Sequence, residues 1–207
     1  MKFLLLVEGE TEKRAIPDFL KRWLDRNLTQ RVGIQPIRFR GHAHFMREMA
    51  IKARMHLHGP KQDELIAVLG LLDLYGPDYP EDLTTAEQRQ AWGVRHCEKQ
   101  VNDDRFRMFF AVHEVEAWLL SQPENFPEKV RNAFPTKVAN PEMVDFEEPP
   151  AKLLDRIYKQ RLKKGYKKTV NGRELFAKLS PAVAREKCPY LQAMLDEMLE
   201  MAKAKGH

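Results

Sequence analysis

The chain has 207 residues, 43% of them hydrophobic and 31% charged, which suits one globular unit with an appendage and excludes a disordered chain. No apolar run approaches the ~18 residues of a membrane helix, and Phe3-Leu-Leu-Leu-Val7 runs at once into Glu8 and Glu10, which excludes a signal-peptide pattern. Cys97 and Cys188 stand alone without CxxC or CxH spacing, which argues against a disulfide framework or structural zinc and fits a reducing cytoplasm.

The net charge of +5 is segregated along the chain. Residues 1–60 carry twelve Lys/Arg and six Asp/Glu, residues 61–150 nine and eighteen, residues 151–178 ten and two, and residues 179–207 four of each. An acidic middle between basic flanks is the pattern of a metal-holding site beside a polyanion groove, and equally that of solvated helix faces.

Lys2–Val7 reads as a buried strand ending in an acidic, glycine-containing turn. Thr11 is placed to cap the following helix, whose apolar positions Ala15, Ile16, Phe19, Leu20, Trp23 and Leu24 repeat at helical spacing. A second strand is predicted over Gly33–Phe39 and a second helix over His42–Leu57, with Met46, Met49 and Met55 as core filling. Leu65–Leu72 is nearly all apolar, as a central parallel strand should be. A helix over Thr85–Val101, a strand over Arg105–Val112 and a short helix over Val115–Leu120 follow. Strand signals stop after Ser121. Prolines then punctuate short helices, Met143–Glu148 is an acidic link, and Ala151–Lys163 and Leu191–Ala204 read as helices. The expected fold is therefore α/β, a mostly parallel sheet flanked by helices over residues 1–121. A helical C-terminal extension, residues 122–207, packs on it to give one globular unit.

In open parallel sheets the ligand site forms at the carboxyl ends of the strands. Three acidic clusters fall there: Glu8 with Glu12, Asp73, and Glu114 with Glu116. Gathered carboxylates repel one another and lose hydration unless protonated or neutralised by a cation. Hard oxygen ligands with no His/Cys set select Mg²⁺ or Mn²⁺ over zinc. Each cluster also has a plainer use: Glu8 and Glu12 complement a helix dipole, Asp73 forms a turn, and Glu114 and Glu116 are solvated first-turn residues. His113 is a secondary candidate as ligand or base, or a hydrogen-bonded structural histidine. No GxGxxG, GxxxxGK[ST] or GxSxG is present, which removes dinucleotide, P-loop and nucleophile-elbow chemistry.

The stretch from Lys152 to Lys168 interleaves basic residues with Tyr158 and Tyr166. Lys159, Arg161, Lys163, Lys164 and Lys167 are candidate phosphate contacts, and Tyr166 a candidate base-stacking face. The alternative is an amphipathic helix with Leu153, Leu154, Ile157 and Tyr158 inward and its lysines merely solvated.

Leu6-Val-Glu-Gly-Glu-Thr-Glu12, Leu71-Leu-Asp-Leu-Tyr-Gly76 and Val112-His-Glu-Val-Glu-Ala-Trp-Leu-Leu120 together resemble a Toprim-like family known as a domain of unknown function. That family is related to RloB-type and OLD-type nucleases. The likeness continues through Pro150-Ala-Lys-Leu153, Gly165-Tyr-Lys-Lys168 and Lys187-Cys-Pro-Tyr190. It implies a compact Toprim/Rossmann-like fold that binds Mg²⁺ or Mn²⁺ and hydrolyses nucleic-acid phosphodiesters, DNA before RNA. It also implies a separate ABC/AAA-type ATPase partner in bacterial anti-phage defence, and an exposed sheet edge adds the expectation of a homodimer. Glu8, Glu12, Asp73, Glu114 and Glu116 match the family's acidic positions, and Lys152 or Lys168 would stabilise charge developing at phosphorus. One departure stands out: the usual DxD is Asp73-Leu-Tyr75 here, so Glu114 or Glu116 takes the second ligand role or one metal binds. The rival reading is a non-catalytic, metal-stabilised nucleic-acid-binding subunit.

Overall fold

The computed structural model describes residues 1–143 and 147–207. Of the predicted acidic link Met143–Glu148, residues 144–146 lie outside the described residues. Four strands, β1 (Lys2–Val7), β2 (Gly33–Arg38), β3 (Leu65–Asp73) and β4 (Phe106–Ala111), form a wholly parallel sheet in the order β2-β1-β3-β4. Strand alternation sends Phe3, Leu5, Val7, Ala67, Leu69 and Leu71 to one face and Leu4, Leu6, Val68 and Leu72 to the other. Both faces are covered, so β1 and β3 read in sequence as unbroken apolar runs.

On one face lie α1 (Glu10–Asn27) and the later helices α6 (Pro150–Leu162), α7 (Arg173–Lys178), α8 (Pro181–Lys187) and α9 (Pro189–Lys203). On the other lie α2 (His42–Leu57) and α3 (Ala86–Val101), which pack on each other and on β3 and β4. The short α4 (Glu116–Leu120) and α5 (Glu128–Arg131) complete the first layer. Phe176 of α7 packs edge-on against Phe19 of α1 and Trp118 of α4, with ring centroids 5.9 and 6.4 Å apart, tying the helical addition to the sheet layer. Among the described residues no helix is long and apolar enough to cross a membrane.

Three expectations change. The first helix starts at Glu10 with an extended Gly9 at the cap position, so Thr11 is buried within the first turn and caps nothing. Met49 is buried but Met55 is exposed, because the face of α2 that meets the sheet is set by Phe45, Met49, Ala53 and Leu57, and Met55 lies away from it. Thr85 is the cap of α3 rather than its first residue, with a reciprocal capping box through Gln88. The outer strand β2 pairs on one side only and carries Pro36, which has no N–H to offer a further strand.

Candidate metal centre

The chain leaves β1, passes to β2 on one side, and returns to β3 on the other. The carboxyl ends of β1 and β3 therefore flank a topological switch point, where α/β sheets bind ligands. The acidic residues are gathered there. Asp73 is the last residue of β3, and its Oδ1 accepts a hydrogen bond from the Val115 N–H at 2.9 Å. The β3–β4 ladder runs on past the strand ends through Leu74 N–H to Ala111 O and Tyr75 N–H to His113 O, and the Glu114 carboxylate lies close to that of Asp73. Glu114 Oε2 accepts from the Ala151 N–H in the first turn of α6 at 2.8 Å. Glu116, the first residue of α4, is fully buried.

Asp73, Glu114 and Glu116 each present an oxygen such that the three lie within 4.8 Å of one another, and among the described residues they are the one such triad. Into it reaches Lys168, whose Nζ is 3.2 Å from Glu116 Oε2, 3.3 Å from Glu114 Oε1 and 3.9 Å from Asp73 Oδ2. Neither oxygen of Glu116 has a well-aligned hydrogen-bond donor among the described residues, so the ammonium answers it as an ion pair. Burial pushes the Glu116 carboxyl up to about 7, with Lys168 opposing and Glu114 and Glu12 adding to the rise. Asp73 is raised for the same reason, burial first, then the neighbouring acids against the pull of Lys168. Burial disfavours the charge on Lys168, yet Glu116, Asp73 and Glu114 outweigh it and hold its pKa above the ordinary value.

Glu12 is buried and its carboxylate folds back over Gly9, where a Cβ would sit 2.5 Å from Oε2. A side chain at position 9 would displace that carboxylate from its present place. Glu8 is placed at the rim. Its Oε1 lies 3.9 Å from His42 Nδ1 at the start of α2, and burial and then Glu12 raise its carboxyl pKa. The tightest group is thus Asp73 with Glu114 and Glu116, with Glu8 at its edge.

His113 is buried and its ring faces a separate cavity of about 510 Å³ shared with Glu87, Glu142 and Tyr190, away from Glu114. Tyr166 corrects the expectation of an exposed stacking face. Its ring is buried edge-on against Tyr158, 5.4 Å between centroids, because the chain turns inward after Gly165. Among the described residues the Tyr166 hydroxyl is buried without a hydrogen-bond partner, and Glu116, Tyr158, Glu114 and Glu12 follow burial in pushing its pKa up. Lys159, Arg161, Lys163, Lys164 and Lys167 are exposed on or just beyond α6, while Leu153, Leu154, Ile157 and Tyr158 face inward, so the helix is amphipathic with its basic side chains in solvent. Lys159 shares an open groove with Glu114 and Lys168, whereas Arg161 lines a different one with Lys129. Lys152 is at the mouth, donating to the Tyr75 hydroxyl at 3.2 Å. Sequence reasoning passed over Tyr75 and Arg156. The signals were an aromatic residue in the loop just past Asp73, and a basic residue four positions after Lys152 on one helical face.

A cluster of carboxylate oxygens around a single ammonium fits a divalent cation. The donors are all hard oxygens, the buried Glu116 oxygens have no aligned donor, and one lysine offsets only part of the negative charge. The molecule is therefore an α/β protein with an acid-and-lysine centre at the carboxyl edge of a parallel sheet. The profile of the family described as a domain of unknown function (DUF4276) matches residues 7–199, and the chain belongs to that family. Its fold is similar to the C-terminal region of the Burkholderia pseudomallei OLD protein, at 17% identity and TM-score 0.50, covering 98% of this chain and 97% of that one. The C-terminal region of the Xanthomonas campestris pv. campestris OLD protein aligns at 18% identity and TM-score 0.48, over 99% of this chain and 98% of that one. No curated protein sequence matches the chain.

Proposed function

We propose that the protein is a metal-dependent nuclease that hydrolyses nucleic-acid phosphodiesters. The observation that carries this reading is the convergence of Asp73, Glu114 and Glu116 on one point, with Lys168 among them and Glu12 and Glu8 beside them. Asp73, Glu114 and Glu116 would hold Mg²⁺ or Mn²⁺, with Glu12 or Glu8 completing the ligand set or orienting water. When bound, the ion polarises a phosphoryl oxygen and lowers the pKa of its water. Lys168 reaches the centre on a flexible stem and supplies positive charge for the phosphorane and the leaving oxygen. Lys152 adds a second positive charge at the mouth. Residues 1–121 supply the acids and residues 122–207 the lysines, and we read the two as one unit.

The placement of this chain beside a separate ABC/AAA-type ATPase in an anti-phage system rests on the sequence resemblance alone. A second reading, a non-catalytic nucleic-acid-binding subunit, is favoured by one observation: the ammonium of Lys168 already ion-pairs with all three acids of the triad. A cleavage assay on plasmid, single-stranded DNA and RNA separates the two. The nuclease reading expects cleavage with Mg²⁺ or Mn²⁺ that EDTA abolishes, lost at least about a hundred-fold in Asp73→Asn. Salt-sensitive binding without cleavage, or an Asp73→Asn variant as active as its parent, sinks the nuclease reading.

A further inference from the structure

We propose that Tyr75 and the basic stripe Lys152, Arg156 and Lys159 form a track for a single strand of nucleic acid, with Tyr75 stacking on an unpaired base next to the acidic centre. The inference deepens the reading above by naming the substrate class.

Tyr75 lies two residues past Asp73 and is one of the few large apolar side chains left in solvent, at 42% exposure. Its ring is held in place. The Lys152 ammonium lies 5.3 Å from the ring centroid and donates to the hydroxyl at 3.2 Å. A tyrosine fixed this way contributes little to the core and presents an open aromatic face.

Lys152 follows Ala151, whose N–H bonds the Glu114 carboxylate, so the stripe starts against the acidic centre. Lys152, Arg156 and Lys159 recur at i, i+4 and i+7 on α6, rising about 6 Å and then about 4.5 Å along the axis. Side chains of this length reach successive phosphates from such steps. One open groove of about 580 Å³ joins Glu114 and Lys168 to Lys152, Arg156 and Lys159 without interruption. Arg156 now pairs with Glu148 and Lys159 with Asp155, exposed ion pairs that contribute little and exchange readily for phosphate. A duplex buries the faces of its bases in the stack, so an aromatic face at this point has a partner only in an unpaired base.

Fluorescence anisotropy in EDTA, where no cleavage proceeds, tests this with labelled single-stranded DNA, single-stranded RNA and duplex DNA over a KCl series. A single strand is expected to bind at least about ten-fold more tightly than the duplex, and the tighter of the DNA and RNA strands identifies the sugar. Tyr75→Ala should weaken single-strand binding about ten-fold and leave duplex binding unchanged, while Tyr75→Phe keeps the parent affinity. Lys152→Gln/Arg156→Gln/Lys159→Gln should reduce the salt slope for a single strand by about 2. Equal or tighter duplex binding, parent-like single-strand binding by Tyr75→Ala, or an unchanged salt slope overturns the proposal. Because no step needs metal or cleavage, its failure leaves the nuclease reading standing, and a strand-specific binder that never cleaves refutes only the nuclease reading.

Discussion

Replacing Lys168 by methionine keeps most of the apolar stem and removes the one charge that lies among the triad acids. The ammonium sits 3.2, 3.3 and 3.9 Å from Glu116, Glu114 and Asp73. Removing one partner of a buried charged group costs about 3–5 kcal/mol. Here the lysine side chain is 38% exposed, and the acids can take up a proton, so the expected loss in metal-free protein near neutral pH is about 2 kcal/mol. For a chain of this length that lowers Tm by about 4–8 °C. The sign with pH follows from the carboxyls. Glu116 and Asp73 are raised above their ordinary values, Glu116 to about 7, so the acids that need the ammonium are fully ionised only above that value. The deficit should be largest above pH 7 and shrink towards pH 5, as the acids protonate with or without the lysine. Thermal melts of both proteins in EDTA at the two ends of that window measure it. A deficit of equal size at both ends, or none at either, would refute the idea that Lys168 holds these acids ionised.

Glu142 accepts hydrogen bonds from the Tyr190 and Leu191 N–H groups at the start of α9, and burial pushes its carboxyl up to about 7. Between its ordinary value and about 7 the folded chain keeps a proton that the unfolded chain releases, so stability falls as pH rises through that window. Glu142→Gln should flatten the fall in urea titrations by up to one proton; an unchanged slope would place the titration elsewhere. Gly93 of α3 lies against Phe110, whose Cζ would be 2.6 Å from an added Cβ. Gly93→Ala should therefore destabilise by about 1 kcal/mol despite alanine's better helix propensity, because overpacking outweighs it, and a higher Tm would contradict this. Cys97 and Cys188 are buried, and burial pushes the Cys97 thiol up to about 12 and raises Cys188 further. Neither should react with a thiol reagent in the native state, and rapid labelling of either would show that the packing around it opens.

The sheet was legible because its signal is strong and local. β3 is apolar throughout, and the acids at its end and at the ends of β1 and β4 fall where a parallel sheet collects ligands. Which acids touch was not legible. Glu8 and Glu12 are neighbours in sequence, but Glu8 turns towards His42 while Glu116, over forty residues from Asp73, closes the triad. Tyr166 was misplaced because an aromatic residue among lysines looks the same facing out or in, and the direction of the turn at Gly165 is set by packing on Tyr158. Thr11 was misplaced because a helix start is fixed by where the preceding strand lets go, and the chain enters the helix at Gly9, two residues sooner. The reach of Lys168 into the triad is a contact across 54 residues from Glu114 that no periodicity announces.

The account stands on Asp73, Glu114 and Glu116 sharing a divalent cation. Calorimetric titration of Mn²⁺ into the metal-free protein near neutral pH, alongside an Asp73→Asn/Glu116→Gln variant shown to be folded by circular dichroism, tests this most directly. Saturable binding by the parent that weakens at least about ten-fold in the variant is the predicted result. A parent that takes up no ion, or a variant that binds it equally well, would contradict the account.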